Sequence, residues 1–275
     1  MPFDLSTTVV RHEAINPEHF LLTLESRAIA RAASPGQFVM LQVRQGSDPL
    51  LRRPMSLYRV EPGRGGRLQI LYKVVGEGTR HLSRQPAGTT LRTLGPLGRG
   101  FDLAAVPRRA ARRAPASRPL LVAGGIGVAI FPFLAEALLE AGQRPLLLFG
   151  ARSRRDLVAL PFFRSRRIDV RVTTEDGSAG TRGLVTRLLE PLLDARAPGR
   201  PPALYVCGPT PMMRAVGSLA VAAGVPCQLA LESQMPCGIG VCLGCVVRCR
   251  DAAGEPPYRR VCAEGPVFEA GRVIV

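Results

Sequence analysis

Two rhythms of apolar and polar positions divide the chain. From Thr7 to Leu94, short apolar or alternating runs are separated by turn chemistry such as ASPG (Ala33 to Gly36) and EPGRGG (Glu61 to Gly66). The runs are TTVVRHEAI, HFLLTLES, QFVMLQV, MSLYRV and RLQILYKVV. Alternation sends neighbouring side chains to opposite faces of a strand, and short strands at this spacing predict a small antiparallel barrel. GTRHLSR (Gly78 to Arg84) fits a helical turn or two between strands. Past an Arg/Ala/Pro-rich stretch the rhythm changes. Apolar runs PLLVAG (Pro119 to Gly124), PLLLFG (Pro145 to Gly150), IDVRVTT (Ile168 to Thr174), ALYVCG (Ala203 to Gly208) and PCQLALE (Pro226 to Glu232) alternate with helix-compatible stretches. That order predicts a doubly wound parallel sheet, whose ligands sit at the carboxyl ends of its strands. No internal repeat is present. The expected fold class is multidomain β and α/β.

One segment, PLLVAGGIGVAIFPFLAEALLEAG (Pro119 to Gly142), is nearly free of charge over about a membrane-spanning length. Its glycine turn, the internal Pro132, and Glu136 and Glu140 one helical turn apart fit a buried strand, a turn and an amphipathic helix better, with both glutamates expected on the exposed face. The 275 residues, 46% hydrophobic, suffice for two domains and a small third. The N-terminus MPFDLSTTVVRHEA lacks the basic start and apolar core of an export signal. Seven cysteines, an odd and clustered set, read as metal binding in a reducing compartment rather than as disulfides, which places the protein in the cytoplasm. The formal charge of +16 raises the question of nucleic acid. Yet the arginines are spread along the chain, Lys73 is the single lysine, and aromatic residues make up only 5%, so no basic stripe with stacking aromatics exists. The densest basic run, Arg108 to Arg118, reads as a solvated linker.

The strongest chemical signal is MPCGIGVCLGCVVRC, Met235 to Cys249. Cys237, four residues, Cys242, two residues, Cys245 and then sixteen residues to Cys262 is the spacing of plant-type [2Fe-2S] sites. Gly238, Gly240 and Gly244 let backbone amides approach the sulfurs. Structural zinc sites usually pair two short C-x2-C knuckles, and only one is present. Cys249 competes with Cys262 as fourth ligand, but a three-residue gap from Cys245 would crowd a cluster.

Weaker signals gain from company. GGIG, with Gly124, Gly125 and Gly127, lies between strand and helix, where amides and the helix dipole can hold a dinucleotide's phosphates; a tight turn without a ligand explains it equally well. RRPMS holds Arg53, Pro54, Met55 and Ser56: an arginine fork matches a pyrophosphate and a serine hydroxyl can reach a flavin nitrogen, with Arg52 expected to face solvent. GEGT, with Gly78 and Thr79, is a second loop suited to phosphate. YVCGPTPMM places Cys207, Gly208 and Pro209 at the end of a strand, where a lone cysteine is usually core.

Taken in order, R-P-x-S, G-x-G-T, GPLG, AGGIG, FGAR, TEDGSAGTRG, CGP and the cysteine cluster resemble the ferredoxin-NADP reductase superfamily over essentially the whole chain. LESQMPCGIGVCLGCVV and VCAEGPVFEA resemble, within it, the electron-transfer subunits of class 1B dihydroorotate dehydrogenases. The resemblance implies an FAD-binding β-barrel (1–104), an NAD-binding α/β domain (105–225) and a [2Fe-2S] domain (226–275). It implies FAD contacts from Arg53, Pro54, Met55, Ser56, Leu71, Tyr72, Lys73, Gly78 and Thr79, and cluster ligation by Cys237, Cys242, Cys245 and Cys262. It implies an FMN-containing dihydroorotate dehydrogenase catalytic subunit as partner, in a heterotetramer of two of each, within pyrimidine biosynthesis. Electrons would pass from FMN through the cluster and FAD to NAD, with no acid-base or nucleophilic residue required here and no nucleic acid or membrane partner. Another flavin/iron-sulfur reductase subunit, hydrogenase- or ferredoxin-linked, and a non-enzymatic redox module remain as alternatives. Met55 stands where many superfamily members place an aromatic over the flavin. Arg152, Ser153, Arg154 and Arg155, just past the second parallel strand, would suit the 2′-phosphate of NADP. The resemblance points to NAD instead, and NAD is the expectation.

Overall fold

The structure, a computed structural model, describes residues 2–44, 46, 49–104, 118–194, 203–250 and 257–275. The basic run from Arg108 to Arg118, expected as a linker, therefore lies, up to residue 117, outside the described residues. The alternating N-terminal runs form β1 (Phe3–Ala14), β2 (His19–Glu25), β3 (Phe38–Gln42), β4 (Arg53–Ser56), β5 (Arg59–Glu61), β6 (Arg67–Lys73) and β7 (Thr90–Leu97). They make one antiparallel sheet in the order β4-β3-β7-β1-β2-β6-β5. MSLYRV, expected as one strand, is two, because the chain crosses there from one sheet edge to the other. Leu57 N–H donates to Gln37 O on the β3 side, and Tyr58 N–H donates to Gln69 O on β6. Those two bonds bring the edges together into a barrel. Register pairs Leu22 with Ile70 and Leu24 with Leu68, so all four point into the barrel core and are fully buried. Two helices punctuate this half: α1 (Arg27–Ala32), too short for its periodicity to be read from sequence, and α2 (Glu77–Ser83), which bears out the expected turn or two.

The second half supplies β8 (Leu120–Gly124), α3 (Phe131–Glu140), β9 (Leu146–Ala151), α4 (Leu160–Ser165), β10 (Asp169–Thr174), β11 (Thr181–Arg182), α5 (Thr186–Leu193), β12 (Leu204–Cys207), α6 (Thr210–Ala222) and β13 (Cys227–Ala230). The last segment adds β14 (Val246–Arg248), β15 (Tyr258–Arg260) and β16 (Val267–Glu269). The sheet order is β11-β10-β9-β8-β12-β13-β16, parallel except for β16. β8, β12 and β13 are buried at every position, as strands covered on both faces must be, which is why they read as continuous apolar runs rather than alternating ones. β13 falls inside the segment expected to begin a separate domain at 226, and β16 seals it from the far end of the chain. The cysteine-bearing segment is thus tied at both ends into the parallel sheet, and its own β14 and β15 form a small hairpin.

Pro132 sits in the first turn of α3, where its missing N–H costs nothing. No helix among the described residues is long and apolar enough to cross a membrane. Of the two glutamates expected to face solvent, only Glu140 does. Glu136 accepts from Arg59 Nε of the barrel at 2.9 and 3.0 Å and from Arg166 Nη2 at 2.9 Å. The apolar face of α3 packs on its own sheet, so the opposite face meets the barrel, where Phe133 N–H also donates to Tyr58 O. Half-buried charges paired twice are screened less than surface pairs. Glu136→Ala is expected to lower unfolding stability by about 1 kcal/mol and Glu140→Ala to leave it unchanged. Denaturant unfolding of both variants checks this, and equal stabilities would contradict it.

Candidate cofactor and cluster sites

At the centre of the parallel sheet the strand order reverses between β8 and β12, which opens a crevice at their carboxyl ends. The two loops leaving these strands touch backbone to backbone. A Cβ on Gly127 would lie 2.5 Å from Cys207 O, and one on Gly208 would lie 2.9 Å from Gly124 Cα. One on Gly124 would meet Met212 Sδ at 2.5 Å and Pro209 Cδ at 2.8 Å. Gly125 instead faces open space, with φ of +53°. The structure therefore brings Gly124, Gly125, Gly127, Cys207, Gly208 and Pro209 together, and the glycines are needed for that contact. The Cys207 side chain is core, and burial pushes its thiol well above the ordinary range. Beside the crevice, Arg154 is tied down: its N–H donates to Ser178 Oγ at 2.8 Å and its Nε to Ser178 O at 3.1 Å.

On the barrel, Arg53 lies directly against Gly78, where a Cβ would come within 2.2 Å of Nε. Gly78 is thus a cradle for the guanidinium at the first turn of α2, whose amides have no intrahelical acceptor. Thr79 Oγ1 is spent within the loop: it accepts from Val75 N–H at 3.0 Å and Gly76 N–H at 3.1 Å and donates to Gly76 O at 2.9 Å. Its hydroxyl shapes GEGT. Arg52, expected to face solvent, instead pairs with Asp4 Oδ2 at 3.0 Å and buries Nη1; that pairing holds the Asp4 carboxyl below its ordinary range. Met55 is buried in the barrel core, and alternation turns Pro54 and Ser56 to the other face of β4.

At the end of β6, Leu71 packs with the core of the second half and Tyr72 with that of the barrel. The Tyr72 hydroxyl lies 2.9 Å from His12 Nε2, while His12 Nδ1 lies 2.7 Å from Gln85 O. A carbonyl only accepts, so neutral His12 carries its proton on Nδ1 and accepts from Tyr72. Lys73 Nζ sits 3.2 Å from both Glu18 Oε2 and Asp156 Oδ1, bridging the two halves. This ammonium accounts for the Glu18, His19 and Asp156 cluster, which otherwise has the ligand types of a cation site.

The cysteines form two pairs. Cys245 and Cys262 Sγ are 3.3 Å apart and buried, and Cys262 N–H donates to Cys245 Sγ at 3.4 Å. The Cys242 thiol meets Cys237, with Cys242 exposed at the tip of the loop. Burial alone would raise the Cys237 thiol, but donation from the amides of Cys242, Ile239 and Val241 outweighs it and brings the thiol down to about 6. Burial pushes Cys262 up to about 12, with Cys245 beside it adding to the rise and the Gly240 amide opposing it. Converging amides are what thiolate ligands of a cluster need.

The spread of the sulfurs matters as well. Thiolates around one zinc lie about 3.8 Å apart, given Zn–S distances of about 2.3 Å. Among the described residues, no three cysteine sulfurs lie within 4.8 Å of one another. Two pairs suit two irons better than one zinc. Cys249 lies just beyond β14, its backbone bridged to Val273. Sequence reasoning missed the seat of this loop: a Cβ on Gly238 would lie 2.5 Å from Met40 Cγ, so the loop rests on the barrel. It also missed Asp156 as the partner of Lys73. Neither contact has a local sequence signal, because both join segments distant in the chain.

Comparison with known proteins adds an independent line. The family model of the iron-sulfur cluster binding domain of dihydroorotate dehydrogenase B matches residues 232–274, and that of the oxidoreductase NAD-binding domain matches 121–218. The chain is 36% identical to the dihydroorotate dehydrogenase B (NAD(+)) electron transfer subunit of Desulforamulus reducens, over 94% of each chain. It is 38% identical to that of Bacillus caldolyticus, over 98% of this chain and 97% of the relative. Among solved structures, the NADH-dependent reduced ferredoxin-NADP oxidoreductase aligns with a TM-score of 0.80 at 29% identity, covering 98% of this chain and 89% of that one.

Cys262→Ser, like Cys237→Ser, Cys242→Ser and Cys245→Ser, is expected to lose bound iron, and Cys249→Ser is expected to keep it. Iron analysis of each purified variant checks this. Full iron in Cys262→Ser with loss in Cys249→Ser would reverse the assignment of the fourth ligand.

Proposed function

The chain belongs to the electron transfer subunits of dihydroorotate dehydrogenase B, and from that premise we propose how its residues carry out the task. The protein conveys electrons from a catalytic dihydroorotate dehydrogenase subunit, through [2Fe-2S] and FAD, to NAD. The observation that carries the reading is the arrangement of four thiols in two pairs, with amides aimed at their sulfurs and their loop resting on the barrel. In this reading Cys237 and Cys242 hold one iron and Cys245 and Cys262 the other. Arg53 offers its fork to the FAD pyrophosphate beside the free amides of α2, and Pro54, Met55, Ser56, Leu71, Tyr72, Lys73, Gly78 and Thr79 line the flavin through backbone or side chain. Gly124, Gly125, Gly127, Cys207, Gly208 and Pro209 receive NAD at the crevice between β8 and β12. Residues 1–104 serve FAD, 105–225 NAD and 226–275 the cluster.

When bound, flavin supplies the conversion between single electrons and a hydride pair. The chain itself binds, orients and insulates; it needs no general acid or base. Ile239, Val241 and Leu243 are exposed around the cluster-bearing loop and give the catalytic subunit an apolar landing surface beside Cys242. We place the assembly in the cytoplasm as two copies of each subunit, without nucleic acid or membrane.

The reading is tested by mixing the purified chain with the FMN-containing catalytic subunit and following NADH formation from dihydroorotate. The mixture is expected to reduce NAD at a rate that neither component reaches alone, and Cys262→Ser is expected to abolish that rate. Reduction driven by ferredoxin but not by dihydroorotate and its dehydrogenase would favour a ferredoxin-linked role instead.

A further inference from the structure

Arg260 and Glu264 flank Cys262 at two residues on either side. The Glu264 carboxylate accepts from the Arg260 backbone N–H at 2.7 Å and from Nε at 3.0 and 3.1 Å, and Nη2 closes the fork on Oε1. So held, the guanidinium extends Nη1 to the carbonyl of Gly240, 2.7 Å away. Gly240 has φ of +82°, and a Cβ there would lie 3.2 Å from Nη1 and 3.0 Å from Ala263 Cβ, so the approach depends on glycine. The peptide gripped through that carbonyl joins Gly240 to Val241, inside the loop between Cys237 and Cys242. A peptide unit is planar, so fixing the carbonyl fixes the direction of the N–H on its far side. Arg260 thus reaches one cysteine pair through Gly240 and stands beside the other through the chain.

We infer that Arg260 is a positioning residue that sets the reduction potential of the cluster, with Glu264 as its opposing charge. The inference rests on the cluster assignment above. A thiolate-ligated cluster becomes more negative when it gains an electron. A fixed cation and amides directed at sulfur therefore favour the reduced form, and a nearby carboxylate disfavours it. The side chains are 38% and 22% exposed, so solvent moderates both effects without removing them.

The test is an EPR-monitored redox titration of the full chain loaded with FAD and cluster, with iron content measured on each sample. Arg260→Gln is expected to shift the reduction equilibrium about tenfold toward the oxidised cluster, about 59 mV for one electron. Glu264→Gln is expected to shift it the opposite way. Arg260→Lys, which keeps the charge but not the fork, is expected to fall between wild type and Arg260→Gln. Shifts of opposite sign from the two neutralising variants support the inference. Shifts of the same sign, or lost iron with an unchanged potential in the remaining clusters, overturn it, because a merely structural ion pair would behave that way. If Arg260→Gln holds no cluster, Glu264→Gln decides: a rise in potential supports the inference, and a fall or no change overturns it. An unsubstituted chain without a [2Fe-2S] signal would overturn the cluster assignment itself, and is distinguished by appearing before any substitution.

Discussion

The molecule depends on backbone meeting backbone at places where no side chain fits. At the crevice, Gly127 packs on the carbonyl of Cys207, and Gly124 and Gly208 pack on each other. At the cluster-bearing segment, Gly98 beside the barrel packs on the backbone of Gly265, where a Cβ would lie 2.6 Å from Gly265 O. A Cβ at any of these positions would force the elements apart, and protein interiors are too densely packed to absorb that movement. The distances among three chemically different regions are thus set by where glycine is used.

The consequence is that the cysteine-bearing segment is not an appendage. It leaves the parallel sheet at β13, returns to it at β16, and lies against the barrel between those points. The barrel and the sheet are in turn joined by the Glu136 pair with Arg59 and by the Lys73 pair with Asp156. Electron transfer needs fixed separations more than it needs reactive side chains. A structure whose titratable groups are spent on joining its parts, while its amides point at sulfur, matches that requirement. The large positive charge has a similar meaning: many arginines are structural, holding carboxylates or carbonyls, as Arg59, Arg118 and Arg260 do.

Much of this was legible in the sequence. The change from alternating to continuous apolar runs marked the passage from barrel to parallel sheet, and the cysteine spacing marked the candidate ligands, because both are patterns within short stretches of chain. What was not legible is long-range. MSLYRV reads as one strand because nothing in its six residues reveals that Leu57 and Tyr58 bond to opposite edges of a sheet. Glu136 reads as exposed because helical periodicity shows which face of α3 is polar, not that Arg59 lies 77 positions away waiting for it. Arg52 reads as a solvent-facing neighbour of Arg53 until β1 brings Asp4 beside it. β13 reads as the start of a new unit because the strand that seals it, β16, comes at the end of the chain.

The central claim is that four thiols in two pairs hold a two-iron cluster within one body shared with a flavin. It is tested most directly by analysing iron, acid-labile sulfide and FAD in protein purified without air, with the EPR spectrum of the reduced sample. The account predicts iron and sulfide in equal amounts, about two of each per FAD, and the EPR signal of a reduced [2Fe-2S] centre. A single tightly bound zinc per chain, without sulfide, would contradict it.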